Sequence, residues 1–155
     1  MDLASDCRVL SRVRVMLDHN GQFSVDVTPL EPNPNIAIVA IYPQRINSQD
    51  RFFLHKTTHR DLYDQARAQA LSEGCFEMLF VNQDGDITEG TISNVFVERQ
   101  DRLLTPPIRC GLLPGILRES LLKTGRAVEP GRSAGGRSDR HRQFSAWSDS
   151  RPTQI

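Results

Sequence analysis

The sequence predicts an α+β fold in which most strands pair antiparallel. Short apolar or alternating stretches are separated by loops rich in Gly, Asn and Asp, as expected of strands joined by tight turns. Helical periodicity is confined to residues 60–73 and 115–123. A chain of 155 residues suffices for one domain with a modest hydrophobic core and is too short for a two-domain enzyme.

The first predicted element is a β-hairpin. Residues 13–17 and 23–27 alternate apolar with polar side chains, and Asn20-Gly21 between them can supply the positive φ of a tight loop. The apolar run at residues 36–41 then predicts a short buried strand.

A helix and a second strand pair follow. Residues 60–73 are rich in Ala, Gln and Arg and end at Gly74, which predicts a helix. Residues 76–81 predict a strand, residues 82–86 a hairpin loop and residues 92–97 the next strand.

The last elements precede a change of composition. Residues 103–105 are extended, and Pro114 begins an apolar helix at 115–123 that Gly125 closes. Residues 131–155 hold five arginines and few apolar side chains, so they cannot bury enough surface to offset their ordering entropy. We therefore expect an N-terminal extension at 1–11, a folded domain at 12–130 and a disordered tail at 131–155.

Charge and composition narrow the function classes. The chain has 19 basic and 19 acidic residues, so it lacks the electrostatic signature of a nucleic-acid or anionic-membrane partner. Neither a membrane-spanning run nor a signal-peptide pattern is present, and we expect a cytoplasmic protein. Three widely spaced cysteines predict no disulfide framework and no zinc site. His55 and His59 are spaced for a metal on a helix face but lack a third ligand in register, so we expect no metal.

Three features could carry chemistry. Lys56 follows an apolar run that could be a core strand, where burial would favour a nucleophilic or basic lysine. Glu89 stands among small hydroxyl residues and could hold a buried positive partner, such as a protonated pyridine nitrogen. The turn at residues 111–115 runs into a helix, whose free N–H groups form a phosphate site. Each feature alone also has an ordinary structural explanation: a snorkelling lysine, a solvated hairpin glutamate and a helix start chosen for packing.

Taken together, the features resemble one family. His-Lys-Thr-Thr at residues 55–58, Thr-Glu-Gly-Thr-Ile-Ser-Asn at 88–94 and Gly-Leu-Leu-Pro-Gly at 111–115 occur in the order and spacing of the class IV aminotransferases, the fold-type-IV pyridoxal-phosphate (PLP) enzymes. The residues of the first and third motifs are most similar to those of the 4-amino-4-deoxychorismate lyase domain that is often fused to aminodeoxychorismate synthase component I. The resemblance covers about residues 12–129 and implies the large, D-amino-acid aminotransferase-like domain of that fold.

The resemblance also implies roles for individual residues. Lys56 would attach PLP covalently and then move the substrate proton, and Glu89 would pair with the pyridine nitrogen. The backbone N–H groups of Ile116 and Leu117 would bind the phosphate, and Arg60 would lie near the ring hydroxyl. The implied reaction converts aminodeoxychorismate to 4-aminobenzoate and pyruvate in folate biosynthesis. A branched-chain or D-amino-acid aminotransferase would use the same Lys56 and Glu89, so the motifs leave both activities open.

Two departures from the family pattern keep a third reading open. Members of the family carry a smaller N-terminal domain, so this chain could be an inactive remnant or a subunit that needs a small domain or a synthase partner. If the protein is intact, we expect a homodimer. Residues 142–148 stand where the family has Gly-Asn-Ser-x-Arg-Gly. Their codons can spell Gly-Asn-Ser-Leu-Arg-Gly in the next reading frame.

We therefore expect the reading frame to change near Gly131, which would make the tail a product of the wrong frame. Sequencing the gene tests this expectation. The codons of residues 142–148 should spell the family segment in the shifted frame, and codons that cannot do so would refute the change of frame.

Overall fold

A computed structural model describes residues 9–99 and 101–130. The chain divides into two compact units, the first ending at Asn35 and the second beginning at Ile36. The predicted tail at 131–155 lies outside the described residues, and so does the predicted change of reading frame near its start. Most of the predicted extension at 1–11 also lies outside them.

The first unit is the predicted hairpin. Strands β1 (Ser11–Leu17) and β2 (Phe23–Pro29) pair antiparallel with Val15 opposite Val25. Gly21 adopts a φ of 80° in the connecting loop, which confirms the role expected of the Asn-Gly pair.

The second unit contains the two helices and the remaining six strands of the described residues. In chain order these are β3 (Val39–Ile41), α1 (Asp61–Ser72), β4 (Glu77–Val81), β5 (Ile87–Gly90), β6 (Val97–Arg99), β7 (Arg102–Leu104), α2 (Ile116–Lys123) and β8 (Ala127–Val128). They form two three-stranded sheets, β3-β4-β5 and β6-β7-β8. Three of the five strand pairs are antiparallel, which agrees with the expected α+β fold, and each three-stranded sheet also contains one parallel pair that the sequence did not predict.

Strand β4 is the centre of the core. It is buried along its whole length, and its side chains alternate between the two faces of the sheet. Met78 and Phe80 pack with Ala66 and Ala70 of α1, which are fully buried. The other face holds a second cluster, formed by Leu79, Val81, Ile87 and Val95.

A β-bulge interrupts the pairing of β4 with β5. Leu79 pairs with Gly90 and Val81 pairs with Ile87, so Phe80 alone stands opposite two residues, Thr88 and Glu89. Because a bulge re-aims the residues on its strand, Glu89 points to the face that carries Phe80 and α1, although Ile87 points to the other face.

This bulge explains an error in the sequence prediction. The strand expected at 92–97 is wrong, because the chain pairs with β4 earlier, at Ile87–Gly90, and then turns before β6 begins at Val97. The predicted strand at 76–81, the loop at 82–86 and the helices at 60–73 and 115–123 are confirmed within one or two residues at each end.

The run before Lys56 also differs from the expected core strand. Residues Arg51–Leu54 form a turn of 3₁₀ helix, capped by the Asp50 carboxylate, which accepts a hydrogen bond from the Phe52 N–H at 2.9 Å. Phe53 is the buried residue of this turn. Across the described ranges, no helix is long and apolar enough to span a membrane.

Buried Glu77 fixes the turn after β5. Its carboxylate accepts hydrogen bonds from the backbone N–H groups of Ile92 and Ser93, at 2.5 and 3.1 Å, and from the hydroxyls of Thr91 and Ser93. Gly90 leaves the space that this carboxylate fills, since a Cβ there would lie 2.3 Å from a Glu77 oxygen. The Glu77 carboxyl group is thus hydrogen-bonded inside the fold by the turn that it organises.

We predict that Glu77→Ala lowers the free energy of unfolding by about 3 kcal/mol, because several buried donors lose a charged acceptor. Urea denaturation of the full chain measures this loss. Glu73→Ala, at an exposed position at the end of α1, is the matched control and should change stability by no more than about 0.5 kcal/mol. Equal effects of the two substitutions would contradict the organising role of Glu77.

Candidate functional site

An open cavity lies between the 3₁₀ turn, the start of α1 and the end of β5. Its walls include Lys56, Arg60, Tyr63, Glu89, Asn94 and Leu113. The structure therefore brings together three of the residues singled out from the sequence.

Lys56 is exposed at this cavity. It lies in the irregular segment between the 3₁₀ turn and α1, and the buried Phe53 anchors that segment from one side. The core strand expected before Lys56 is absent, because its apolar residues form the 3₁₀ turn instead. The lysine thus reaches the cavity from a loop and is not held in the core.

Glu89 is the buried acid of the cavity. Its Oε1 accepts a hydrogen bond from the Tyr63 hydroxyl at 2.5 Å, and its Oε2 accepts one from the Leu113 N–H at 3.1 Å. Burial raises the pKa of Glu89 to about 7, although the hydrogen bonds from Tyr63 and Leu113 and the charge of Arg60 act in the opposite direction. Glu89 therefore changes charge near neutral pH, which is unusual for a carboxyl group.

Tyr63 and Arg60 flank this acid. The Arg60 guanidinium lies 4.6 Å from the centre of the Tyr63 ring and donates a hydrogen bond to the Thr91 carbonyl at 2.8 Å. Burial, the charge of Glu89 and the hydrogen bond to it raise the pKa of Tyr63, so its hydroxyl stays protonated as a donor. Sequence reasoning missed Tyr63. The available signal was one aromatic residue with a polar end in the first turn of a helix otherwise rich in Ala and Gln.

Ile116 and Leu117 are not among the residues that line the cavity. They begin α2, three and four residues after Leu113, and their side chains are 87% and 69% exposed. Their N–H groups belong to the first helical turn, where no preceding carbonyl of the helix can accept them. That these N–H groups share one binding site with Glu89 and Lys56 thus stays a prediction.

Asn94 links the cavity to the start of α2. Its side-chain amide donates to the Leu113 carbonyl at 3.0 Å and lies 3.5 Å from Glu89 Oε2. A Cβ at Gly115 would lie 2.2 Å from Asn94 Oδ1, so a larger residue at the cap of α2 would displace the Asn94 amide. This contact explains the Gly in the turn, and sequence reasoning did not identify Asn94.

Buried Arg118 fixes α2 from its other side. Its guanidinium donates to the Pro106 carbonyl at 2.7 Å and to Glu129 at 2.5 Å. The first turn of α2 is thereby tied both to the chain after β7 and to the chain after β8. Within residues 9–99 and 101–130, no three His, Cys, Asp or Glu side chains are grouped to hold a metal ion.

Known proteins match this chain over most of its length. The family model for amino-transferase class IV matches residues 10–132. A Schizosaccharomyces pombe protein named as an aminodeoxychorismate lyase is 30% identical over 120 residues, which are 75% of this chain and 52% of that protein. The chain thus spans about half the length of this relative.

Solved structures share the fold. A Mesorhizobium loti protein named as an amino-acid aminotransferase superposes with a TM-score of 0.76 at 40% identity, over 81% of this chain and 62% of that one. The branched-chain amino acid aminotransferase of Thermobaculum terrenum in its PLP form superposes with a TM-score of 0.58 at 25% identity, over 69% of this chain and 38% of that one. With the family match over more than half of its residues, this chain belongs to the class IV aminotransferases.

Proposed function

We propose that this chain is the PLP-binding domain of a cytoplasmic enzyme of the aminodeoxychorismate lyase type. The observation that carries the proposal is one cavity lined by both Lys56 and Glu89, in a member of a family with a PLP-form structure. Because the chain spans about half of its S. pombe relative, its activity, substrate and partners are all part of the proposal.

The cavity residues fit PLP in chemical type. Lys56 is the only lysine that lines the cavity in the described part of the chain, and it supplies the amine that a covalent link to the cofactor aldehyde requires. Glu89 supplies a buried acceptor for the pyridine nitrogen. The first-turn N–H groups of Ile116 and Leu117 would bind the phosphate, and Arg60 would face the ring hydroxyl.

Bound PLP supplies the electron sink that accepts a bond pair from the substrate carbon. Glu89 holds its negative charge above about pH 7 and would keep a proton on the nitrogen that it faces. Lys56, once free of the cofactor, would remove the proton next to the substrate amine from its exposed position at the cavity. In the lyase reaction Lys56 would return this proton to the departing enolpyruvyl group, which would leave as pyruvate.

Two relatives favour different substrates. The S. pombe relative carries a lyase name, and the motif wording at residues 55–58 and 111–115 favours the same activity. The M. loti structure has the higher identity and carries an aminotransferase name. We propose lyase activity first and amino-acid transamination as the alternative.

This chain matches only part of each relative, so we also propose that its substrate site is completed by another domain or chain. A small domain, a partner chain or a second copy would complete the substrate side of the cavity, and without it the chain would bind PLP with no turnover. A homodimer is the assembly that the family resemblance implies.

We predict that the full chain incubated with PLP and then reduced with borohydride carries a permanent PLP label on Lys56. The sequence has two lysines, Lys56 and Lys123, so peptide mass mapping assigns the label without ambiguity. Lys123 lies on the exposed face of α2, paired with Glu119 at 2.7 Å, and should remain unlabelled.

The two matched variants sharpen this test. Lys56→Ala should abolish the label, and Lys123→Ala should leave it unchanged. A label on Lys123, or none on either lysine, would contradict the proposed PLP site.

We also predict that the PLP-loaded chain, once completed by a small domain, converts aminodeoxychorismate to 4-aminobenzoate and pyruvate. Chromatography of the products measures this conversion, with an amino donor and a keto acid offered in parallel. Amino transfer without 4-aminobenzoate would support the alternative, and a labelled chain with neither product would support an inactive remnant.

A further inference from the structure

The hydrogen bond between Tyr63 and Glu89 assigns a role that the motifs do not. We infer that Tyr63 is a positioning residue for Glu89, whose hydroxyl both orients the buried carboxylate and stabilises its charged form. The meaning of this role for PLP rests on the proposed function, but the role itself concerns only residues of this chain.

The two oxygens of Glu89 have different donors. Oε2 is held by the Leu113 N–H at 3.1 Å, with the Asn94 amide at 3.5 Å, so the loop before α2 fixes that oxygen. Oε1 is held by the Tyr63 hydroxyl at 2.5 Å, from the opposite element, α1. Loss of this hydroxyl would leave Oε1 without its donor in a residue that is only 4% exposed.

The ring of Tyr63 is itself held in place by packing against three side chains. Its ring meets Phe80 at 5.0 Å and Phe53 at 5.8 Å between ring centres, and Arg60 covers it at 4.6 Å. A donor held so firmly loses little side-chain entropy when it makes its hydrogen bond. The hydroxyl is therefore pre-organised for Glu89.

The charge of Glu89 at neutral pH depends on a balance of opposing effects on its pKa. Its pKa of about 7 reflects burial, which favours the neutral acid, and hydrogen bonds and Arg60, which favour the carboxylate. The ionisable side chains around it from every neighbouring element are Tyr63 and Arg60 at α1, Glu77 on β4, and Lys56, His55 and His59 along the cavity. Among these groups, Tyr63 is the one whose side chain is hydrogen-bonded to Glu89.

Removing the hydroxyl would therefore raise the pKa of Glu89. A hydrogen bond to a charged group contributes about 1.5–3 kcal/mol, which corresponds to an upward shift of about one to two pH units. At neutral pH the carboxyl group would then be protonated, and it could no longer support a proton on a pyridine nitrogen.

The first test measures Glu89 in the cofactor-free full chain. Infrared spectra across pH report the carboxyl and carboxylate bands, and the difference from Glu89→Gln isolates the signal of Glu89. Tyr63→Phe should move the midpoint upward by about one to two pH units. Tyr42→Phe is the matched control, since Tyr42 also meets Phe80 edge-on, at 5.4 Å, but Glu89 accepts nothing from it; it should leave the midpoint in place.

A second variant protects the test against loss of folding. The sequence has two tyrosines, so in the Tyr42→Phe background 3-fluorotyrosine labels position 63 alone. The fluorinated phenol is a stronger donor and should move the Glu89 midpoint downward, opposite to Tyr63→Phe. Midpoints that coincide in all three proteins would overturn the inference.

The third measurement separates this inference from the proposed function. Equilibrium dialysis of PLP with Lys56→Ala chains reports noncovalent binding as a function of pH. Tyr63→Phe should weaken binding near pH 7 and recover it at higher pH, whereas Glu89→Gln should not recover. A shifted Glu89 midpoint without PLP binding in any protein would support the positioning role and refute the PLP site. PLP binding that has the same pH dependence with and without the hydroxyl would refute the positioning role alone.

Discussion

The bulge opposite Phe80 decides which face of the sheet Glu89 reaches. Regular pairing of β5 with β4 would place Glu89 and Ile87 on the same face, away from α1. One extra residue on β5 reverses the direction of Glu89, while Gly90 returns to the register of Leu79. The carboxylate thereby meets Tyr63 and the cavity, and the rest of the site is built around that position.

The two buried glutamates of the described residues differ in what their carboxylates contact. Glu77 is enclosed by the turn that it organises, with donors from three consecutive residues, 91–93, so its charge is used within the fold. Glu89 receives close hydrogen bonds from Tyr63 and Leu113 and keeps one side toward the cavity. A buried carboxylate that faces a cavity is suited to a cationic ligand group, and burial raises the pKa of Glu89 to about 7.

Much of this organisation could be predicted from the sequence, and the exceptions share a cause. The hairpin at 13–27, both helices and the strand at 76–81 carry periodic patterns that local physics fixes. The bulge leaves no periodic signal, so β5 was expected several residues too late. The sequence marked Lys56 and Glu89 as reactive types, but Tyr63 and Asn94 act through contacts 26 and 5 residues away, which only the folded chain brings together. Ile116 and Leu117 were assigned from the family resemblance, and the exposure of their side chains does not report on their N–H groups.

We propose that Lys56 and Glu89 hold opposite ends of one cofactor. A crystal structure of the full chain grown with PLP tests this arrangement. We expect continuous density from Lys56 Nζ to the cofactor, with the ring nitrogen within hydrogen-bond distance of Glu89 and the phosphate at the N–H groups of Ile116 and Leu117. Density that joins Lys56 but leaves Glu89 without contact to the ring, or cofactor bound outside this cavity, would contradict it.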